Sequence, residues 1–187
     1  MDDRQQGTFE QAALEHLDAL YGFAMSLARN PAEAEDLVQE TYLRGIRAAR
    51  LAAPTGDVKA WLFTILRNIW INERRRRAHG PEFLPMESVV QASEGPAEWM
   101  ADETGRPDAL LDRQLLREEI RAAIESLPEG FREVIVLRCI EGFSYSQIAQ
   151  ILDCPAGTVM SRLSRARAEL RCCLSGSLGQ RAKEVGK

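Results

Sequence analysis

Four hydrogen-bond donors, Thr158, Ser161, Arg162 and Arg165, recur along one side of the segment from Ala156 to Leu170. Val159, Leu163, Ala166 and Leu170, at spacings of 4, 3 and 4, form the opposite, apolar side. A helix with this pattern buries one face and offers donors on the other. Arginine binds guanine bidentately, and serine and threonine reach base edges or phosphates. An amphipathic helix with solvated arginines is common, so the stripe alone decides little; the residues before it decide more. Ser144 and Gln147 have capping-box spacing at the head of a short helix whose apolar side is Ile148, Ala149, Ile151 and Leu152. A tight turn through Asp153 follows, with Cys154 at the next cap position and Pro155 suited to the first turn of the second helix. That order is a helix-turn-helix, whose second helix lies in the major groove. Asp153 stands where such turns often carry glycine, because the chain there takes positive φ, a conformation aspartate tolerates at some cost.

A second group lies nearer the N-terminus. Asn68, Asn72 and Arg75 fall at spacings of 4 and 3 on one face, extended by Trp61 and Thr64. Amides can read a base edge, and an exposed aromatic can support an unstacked base. The run Arg74, Arg75, Arg76 and Arg77 suits phosphates. Core packing suits Trp61 equally well. Upstream, Glu33, Asp36, Gln39 and Glu40 share the first turns of another helix. Carboxylates there are favoured by the helix dipole whether or not a partner meets them, and Glu33 also has the spacing to complete a cap on Asn30.

The elements that must hold these side chains are helical. Strand-like alternation is absent, and apolar residues recur with helical period. One helix is expected from about Thr8 to Arg29, with Phe9, Ala13, Leu17, Leu20, Ala24 and Leu27 inward. Asn30 caps a second that opens on Pro31 and runs to about Arg50, and Asp57 caps a third reaching Arg77 with Leu62, Ile65, Leu66 and Ile69 inward. Periodicity then fails from Gly80 to about Arg106. It resumes with Leu111, Leu115, Ile120, Ile124 and Leu127 up to Pro128, and again with Phe131, Val134, Ile135 and Arg138 up to Gly142. The reading is all-α: a helical domain over 1–79, a flexible acidic linker over 80–106, a helix-turn-helix domain over 107–175 and a tail over 176–187.

Composition sets limits. The 187 residues suffice for one medium domain or two small ones. A net charge of −4 argues alone against a nucleic-acid binder, but the charge is segregated. Gly80 to Asp112 holds eight acidic residues and one basic, whereas Ala156 to Lys187 holds seven basic and two acidic. The average therefore hides two regions of opposite sign. Cys139, Cys154, Cys172 and Cys173 form no Cys-x-x-Cys pair, and only His16 and His79 join them, so no metal is expected and the thiols are read as buried or idle. There is no apolar run of membrane-spanning length and no basic, apolar leader, so a cytoplasmic place without membrane insertion is expected.

Two stretches carry a family resemblance. NPAEAEDLVQETYLR, Asn30 to Arg44, with WLFTILRNIWINERRRR, Trp61 to Arg77, resembles the second conserved region of bacterial RNA polymerase sigma factors. LPEGFREVIVLRCIEGFSYSQIAQIL with CPAGTVMSRLSRAR resembles the fourth. With only a short linker between them, the arrangement is similar to the extracytoplasmic-function subgroup. The resemblance implies a promoter-recognition subunit and no enzyme. Asp36, Gln39 and Glu40 would dock on the clamp helices of the largest subunit of core RNA polymerase. Trp61, Asn68, Asn72 and Arg74 to Arg77 would engage the non-template strand of the −10 element. Thr158, Ser161, Arg162 and Arg165 would engage the −35 element. It further implies contact with the β flap, an anti-sigma factor as partner, and no cofactor. The competing reading is a stand-alone helix-turn-helix regulator whose N-terminal bundle senses or dimerises. A helical hydrolase lacks a nucleophile–base pair, a phosphate-binding glycine loop and a metal cluster.

Overall fold

The computed structural model of the protein describes residues 13–51, 56–79 and 107–184, without the side chains of 79, 107–113 and 176–184. The expected linker over 80–106, Phe9 and the side chain of Leu111 therefore lie outside the described residues. Those described are all-α, without a strand. The chain divides into two compact units, Met1–Met100 and Ala101–Lys187.

In the first unit three helices pack pairwise: α1 (Leu17–Ala28), α2 (Pro31–Leu51) and α3 (Val58–His79). Arg29 ends α1 in the left-handed region at φ 55°, its N–H on the Met25 carbonyl at 3.0 Å. Asn30 then caps α2 as its spacing predicts, Oδ1 accepting the Glu33 N–H at 3.2 Å. The short connection folds α2 back on α1, and the Tyr42 hydroxyl donates to the Ala13 carbonyl at 2.7 Å. Burial pushes the Tyr42 phenol above its ordinary pKa, and the Asp18 carboxylate adds to the rise. Asp57 caps α3 through the Ala60 N–H at 3.3 Å. Gly45 lets α2 and α3 approach: a Cβ there would meet Leu62 Cδ2 at 3.2 Å and the Trp61 ring at 3.7 Å. That approach offsets the ~1 kcal/mol by which a mid-helix glycine trails alanine.

The first helix is not continuous as expected. A turn at Glu15–His16 interrupts it, the His16 N–H bonding Ala13 O at 3.1 Å. Leu17, the first residue of α1 after that turn, is 42% exposed, and Phe23, outside the expected stripe, is fully buried against Phe63 with ring centroids 5.2 Å apart, three residues after Leu20 and four before Leu27 on the same inward face. In α3, Ile65 is only half-buried, while Leu62, Phe63, Leu66, Ile69 and Trp70 form a wider inward face, because α3 packs against both other helices.

The second unit contains α4 (Pro107–Ser126), α5 (Glu129–Ile135) running into a π-helical turn (Val136–Ile140), α6 (Tyr145–Ile151) and α7 (Ala156–Glu184). Its core is Ala123, Leu127, Val134 to Leu137, Phe143, Ile148, Ile151, Leu152, Val159, Leu163 and Ala166. Leu115, expected inward, is 40% exposed. The π turn inserts a residue ahead of Gly142, which ends the segment at φ 78°, and Arg138 Nη1 donates to the Phe143 carbonyl at 2.8 Å. Arg132 and Glu133 are buried, unannounced by the pattern, and Arg132 Nη2 donates to the Leu127 carbonyl just beyond α4 at 3.1 Å. Helix α7 continues through most of the stretch expected as a tail, since Gly176 and Gly179 weaken a helix without ending it. The four cysteines are free, and Cys139, Cys172 and Cys173 are exposed rather than buried: Cys139 and Cys172 fall outside the apolar stripe of their helices, and Cys173, on the stripe by spacing, lies beyond Ala166, the last buried residue of α7 among those described. Among the described residues no helix is long and apolar enough to cross a membrane.

Candidate nucleic-acid interface

The helix-turn-helix is built by local bonds. Ser144 Oγ accepts the Gln147 N–H at 3.3 Å, and Gln147 Oε1 accepts the Ser144 N–H at 2.9 Å, which completes the capping box. Asp153 makes the turn at φ 43°. The Cys154 N–H closes the turn on Ala149 O at 3.0 Å. That bond delays the second helix by one residue: Pro155, rather than Cys154, occupies the cap position, its carbonyl accepting from Thr158 and Val159 at 2.9 and 3.3 Å.

Burial of Val159, Leu163 and Ala166 sets the rotation of α7 about its own axis. Ser161 and Arg165 are then exposed, and Ser161 Oγ donates to the Thr158 carbonyl at 3.0 Å. Thr158 and Arg162 are only half-exposed. The Arg162 guanidinium lies over Gly130 in the first turn of α5, where an added Cβ would meet its Cζ at 3.8 Å. Gly157, Met160 and Ser164 are exposed as well. Gly157 and Met160 carry no donor and Ser164 lies off the Thr158–Arg165 stripe; their helical positions opposite the buried stripe are the signal that marks all three.

In the first unit, Asn68 and Asn72 both face solvent from α3, opposite a side packed to within 1% exposure at Leu62, Leu66 and Ile69. Thr64 turns its hydroxyl back to the Ala60 carbonyl at 2.9 Å. Trp61, left open between packing and stacking, is half-buried beside Gly45. The arginine run is exposed but not uniform. Arg76 stands 4.0 Å from Glu73, and Arg77 Nη1 bonds both carboxylate oxygens of Glu33 at 3.2 Å. Glu33 thus has its carboxylate on α3 rather than in the expected reciprocal cap.

On α2, Asp36 and Gln39 are exposed, and Glu40, half-exposed, holds Arg44 Nε at 2.6 Å. One turn on, Leu43 is 50% exposed on the same face, an apolar neighbour of the acidic group. Among the described residues no group of three or more His, Cys, Asp or Glu side chains gathers to hold a metal ion.

Comparisons with known proteins follow this division. The family described as Sigma-70 region 2 matches residues 13–80, and Sigma-70 region 4 matches residues 117–170. The chain is 37% identical over 156 residues to ECF RNA polymerase sigma factor EcfG of Rhodopseudomonas palustris, covering 83% of this chain and 79% of that one. It is 32% identical over 185 residues to ECF RNA polymerase sigma factor SigE of Mycolicibacterium smegmatis, covering 98% and 68%. Among solved structures it is similar to the sigma factor RpoE of Bartonella quintana, determined in complex with the anti-sigma factor NepR. The TM-score is 0.64 at 32% identity, covering 90% of this chain and 97% of that one. It is also similar to CnrH in complex with the cytosolic domain of CnrY, with a TM-score of 0.55 at 27% identity, covering 91% and 90%.

Proposed function

The chain belongs to the extracytoplasmic-function RNA polymerase sigma factors, which act in transcription initiation, and from that premise we propose how its exposed faces divide the work. Domain 1–79 docks on core RNA polymerase through Asp36, Gln39 and Glu40 of α2 and captures the −10 element on α3. Asn68 and Asn72 read an unstacked non-template base, Trp61 borders the pocket, and Arg74, Arg75, Arg76 and Arg77 hold phosphates. Domain 107–175 places α7 in the major groove of the −35 element through Thr158, Ser161, Arg162 and Arg165, and contacts the β flap. An anti-sigma factor is the expected regulatory partner, the kind of partner with which the similar RpoE was solved.

The observation that carries the melting role is the two-sidedness of α3. Its buried side anchors the helix without using the amides, so Asn68 and Asn72 stand free on a rigid support. Extruding a base costs a few kcal/mol, and hydrogen bonds and stacking in a pocket return part of it. The test is run-off transcription with purified core polymerase and the Asn68→Ala, Asn72→Ala double variant. We expect intact core binding, poor opening of duplex promoters, and recovery on templates with a pre-melted bubble. Normal permanganate reactivity with unchanged −10 preference in the double variant would refute the assignment.

A further inference from the structure

The free side of α7 is not the donor stripe alone. Opposite the buried Val159, Leu163 and Ala166 stand Gly157, Met160, Ser161, Ser164 and Arg165, all exposed, while Thr158 and Arg162 on one flank are half-covered. The contact of Arg162 with Gly130 explains that flank: its guanidinium lies on α5 rather than projecting straight outward. The surface open to a groove is therefore rotated towards Met160 and Ser164.

Met160 is the one large apolar side chain on this open face, and it is 51% exposed. Its surroundings make it prominent. Three residues earlier is Gly157, where even an added Cβ would meet nothing within 4 Å. Four residues later is Ser164, with a short side chain. On a helix those positions are its neighbours along the face, and both carry side chains shorter than that of Met160. A thioether is a poor hydrogen-bonding group and gains little from phosphates or from the donor and acceptor edges of bases. The apolar group that the major groove does present is the C5-methyl of thymine.

From this we infer that Met160 is a specificity-determining residue that packs on the C5-methyl group of a thymine in the −35 element. The inference rests on α7 being the −35 recognition helix. Met160 supplies apolar contact to one base pair, while Ser164 and Arg165 supply donors to its neighbours.

The test uses holoenzyme assembled from core polymerase and the full chain. Duplexes bearing a randomised −35 element are selected by the wild-type holoenzyme, and each thymine of the selected element is then replaced by deoxyuridine, which removes only the methyl. One replacement is expected to weaken the wild type about fourfold, the fold-change for ~0.8 kcal/mol per buried methyl. Met160→Ala is expected to be indifferent to the same replacement, and Met160→Leu to keep the sensitivity. No sensitive thymine, or equal sensitivity in Met160→Ala, overturns the inference. An Arg165→Ala arm separates the two levels. If it weakens binding while the deoxyuridine series is flat, only the Met160 assignment falls; if it too binds as the wild type does, the reading of α7 falls with it.

Discussion

If Arg77 holds a phosphate as proposed, its contact with Glu33 makes DNA affinity depend on the α2 face. Its Nη1 meets both oxygens of Glu33 at 3.2 Å, with 57% of the arginine and 37% of the glutamate side chain exposed. A single nitrogen shared between two oxygens lacks the parallel two-bond geometry of the strongest pairs. Exposed pairs are worth roughly 0.2–1 kcal/mol, and this geometry belongs in the lower half, about 0.5 kcal/mol, or about a twofold preference for the closed pair. In the proposed complex Arg77 leaves Glu33 for a phosphate. Glu33→Gln is then expected to raise affinity for a single-stranded −10 non-template oligonucleotide by up to about threefold, since a twofold preference leaves about a third of the arginine free. Arg77→Ala is expected to lower it and to flatten the dependence of log K on log salt by ~0.7, the contribution of one phosphate on a single strand. The assay is fluorescence anisotropy across a salt series, with core polymerase saturating so that a docking defect does not intrude. Thermal melts run alongside, because Glu33 in the first turn of α2 also interacts with the helix dipole, worth roughly 0.3–1 kcal/mol. An unchanged salt slope in Arg77→Ala would refute the phosphate contact and leave the pair as a strut between helices.

Three other perturbations test separate surfaces. Asp36→Lys with Glu40→Lys is expected to weaken core-polymerase binding in a titration while circular dichroism stays helical; unchanged affinity removes that docking face. Leu163, 2% exposed, changed to Asp is expected to unfold the second unit by burying a charge. Arg165→Ala should instead keep the fold and lose roughly 1–3 kcal/mol of −35 binding if it pairs bidentately with guanine; matching melts, or wild-type affinity in the arginine variant, would contradict this. The raised Tyr42 pKa makes the first unit sensitive to alkali. The folded state keeps the phenol proton where the unfolded chain has lost it, so this contribution is whole below pH 10.0 and fades as pH climbs through the higher folded value. Tyr42→Phe is expected to lose about 0.5–1.5 kcal/mol with the hydrogen bond and to flatten that alkaline decline, as read from denaturant melts at several pH values.

What could be read in the sequence is what neighbouring residues determine among themselves. The Asn30 cap, the Ser144–Gln147 box and the positive φ at Asp153 each involve a span of at most three residues, and each stands where spacing put it. The family resemblance likewise rested on contiguous runs. Phase was harder. The turn at Glu15–His16 and the π turn at Val136–Ile140 interrupt regular helix, and the expected stripe of α1 took in Leu17, at the exposed start of the helix, while passing over Phe23, which shares its inward face with Leu20 and Leu27. Contacts between distant elements were out of reach altogether. Nothing local in Glu33 signals a partner 44 residues away, and nothing in Arg162 signals that Gly130 leaves room for its guanidinium. Side-chain type nominated Arg162 as a reader; packing decides how far it can project.

That last point governs both helices proposed to meet DNA. A recognition helix reads bases only with side chains that its packing leaves outward, so the core fixes readout as surely as the donors do. In α7, Val159, Leu163 and Ala166 are each within 2% of full burial, and Ala166 is the small member of the three. Close-packed interiors do not absorb extra volume without movement. A larger residue at 166 would have to tilt or turn the helix, carrying Met160 and Arg165 to new positions along the groove. In α3 the same role falls to Gly45, where Leu62 Cδ2 would stand only 3.2 Å from an added Cβ. Filling that space would make the Leu62 side chain, or α3 with Asn68 and Asn72 upon it, give way from the α2 face that carries Asp36 and Glu40. The distance between the proposed polymerase-docking face and the proposed base-reading amides thus rests in part on a glycine that belongs to neither proposed contact, so in the proposed complex promoter opening would also depend on residues no DNA footprint would reveal.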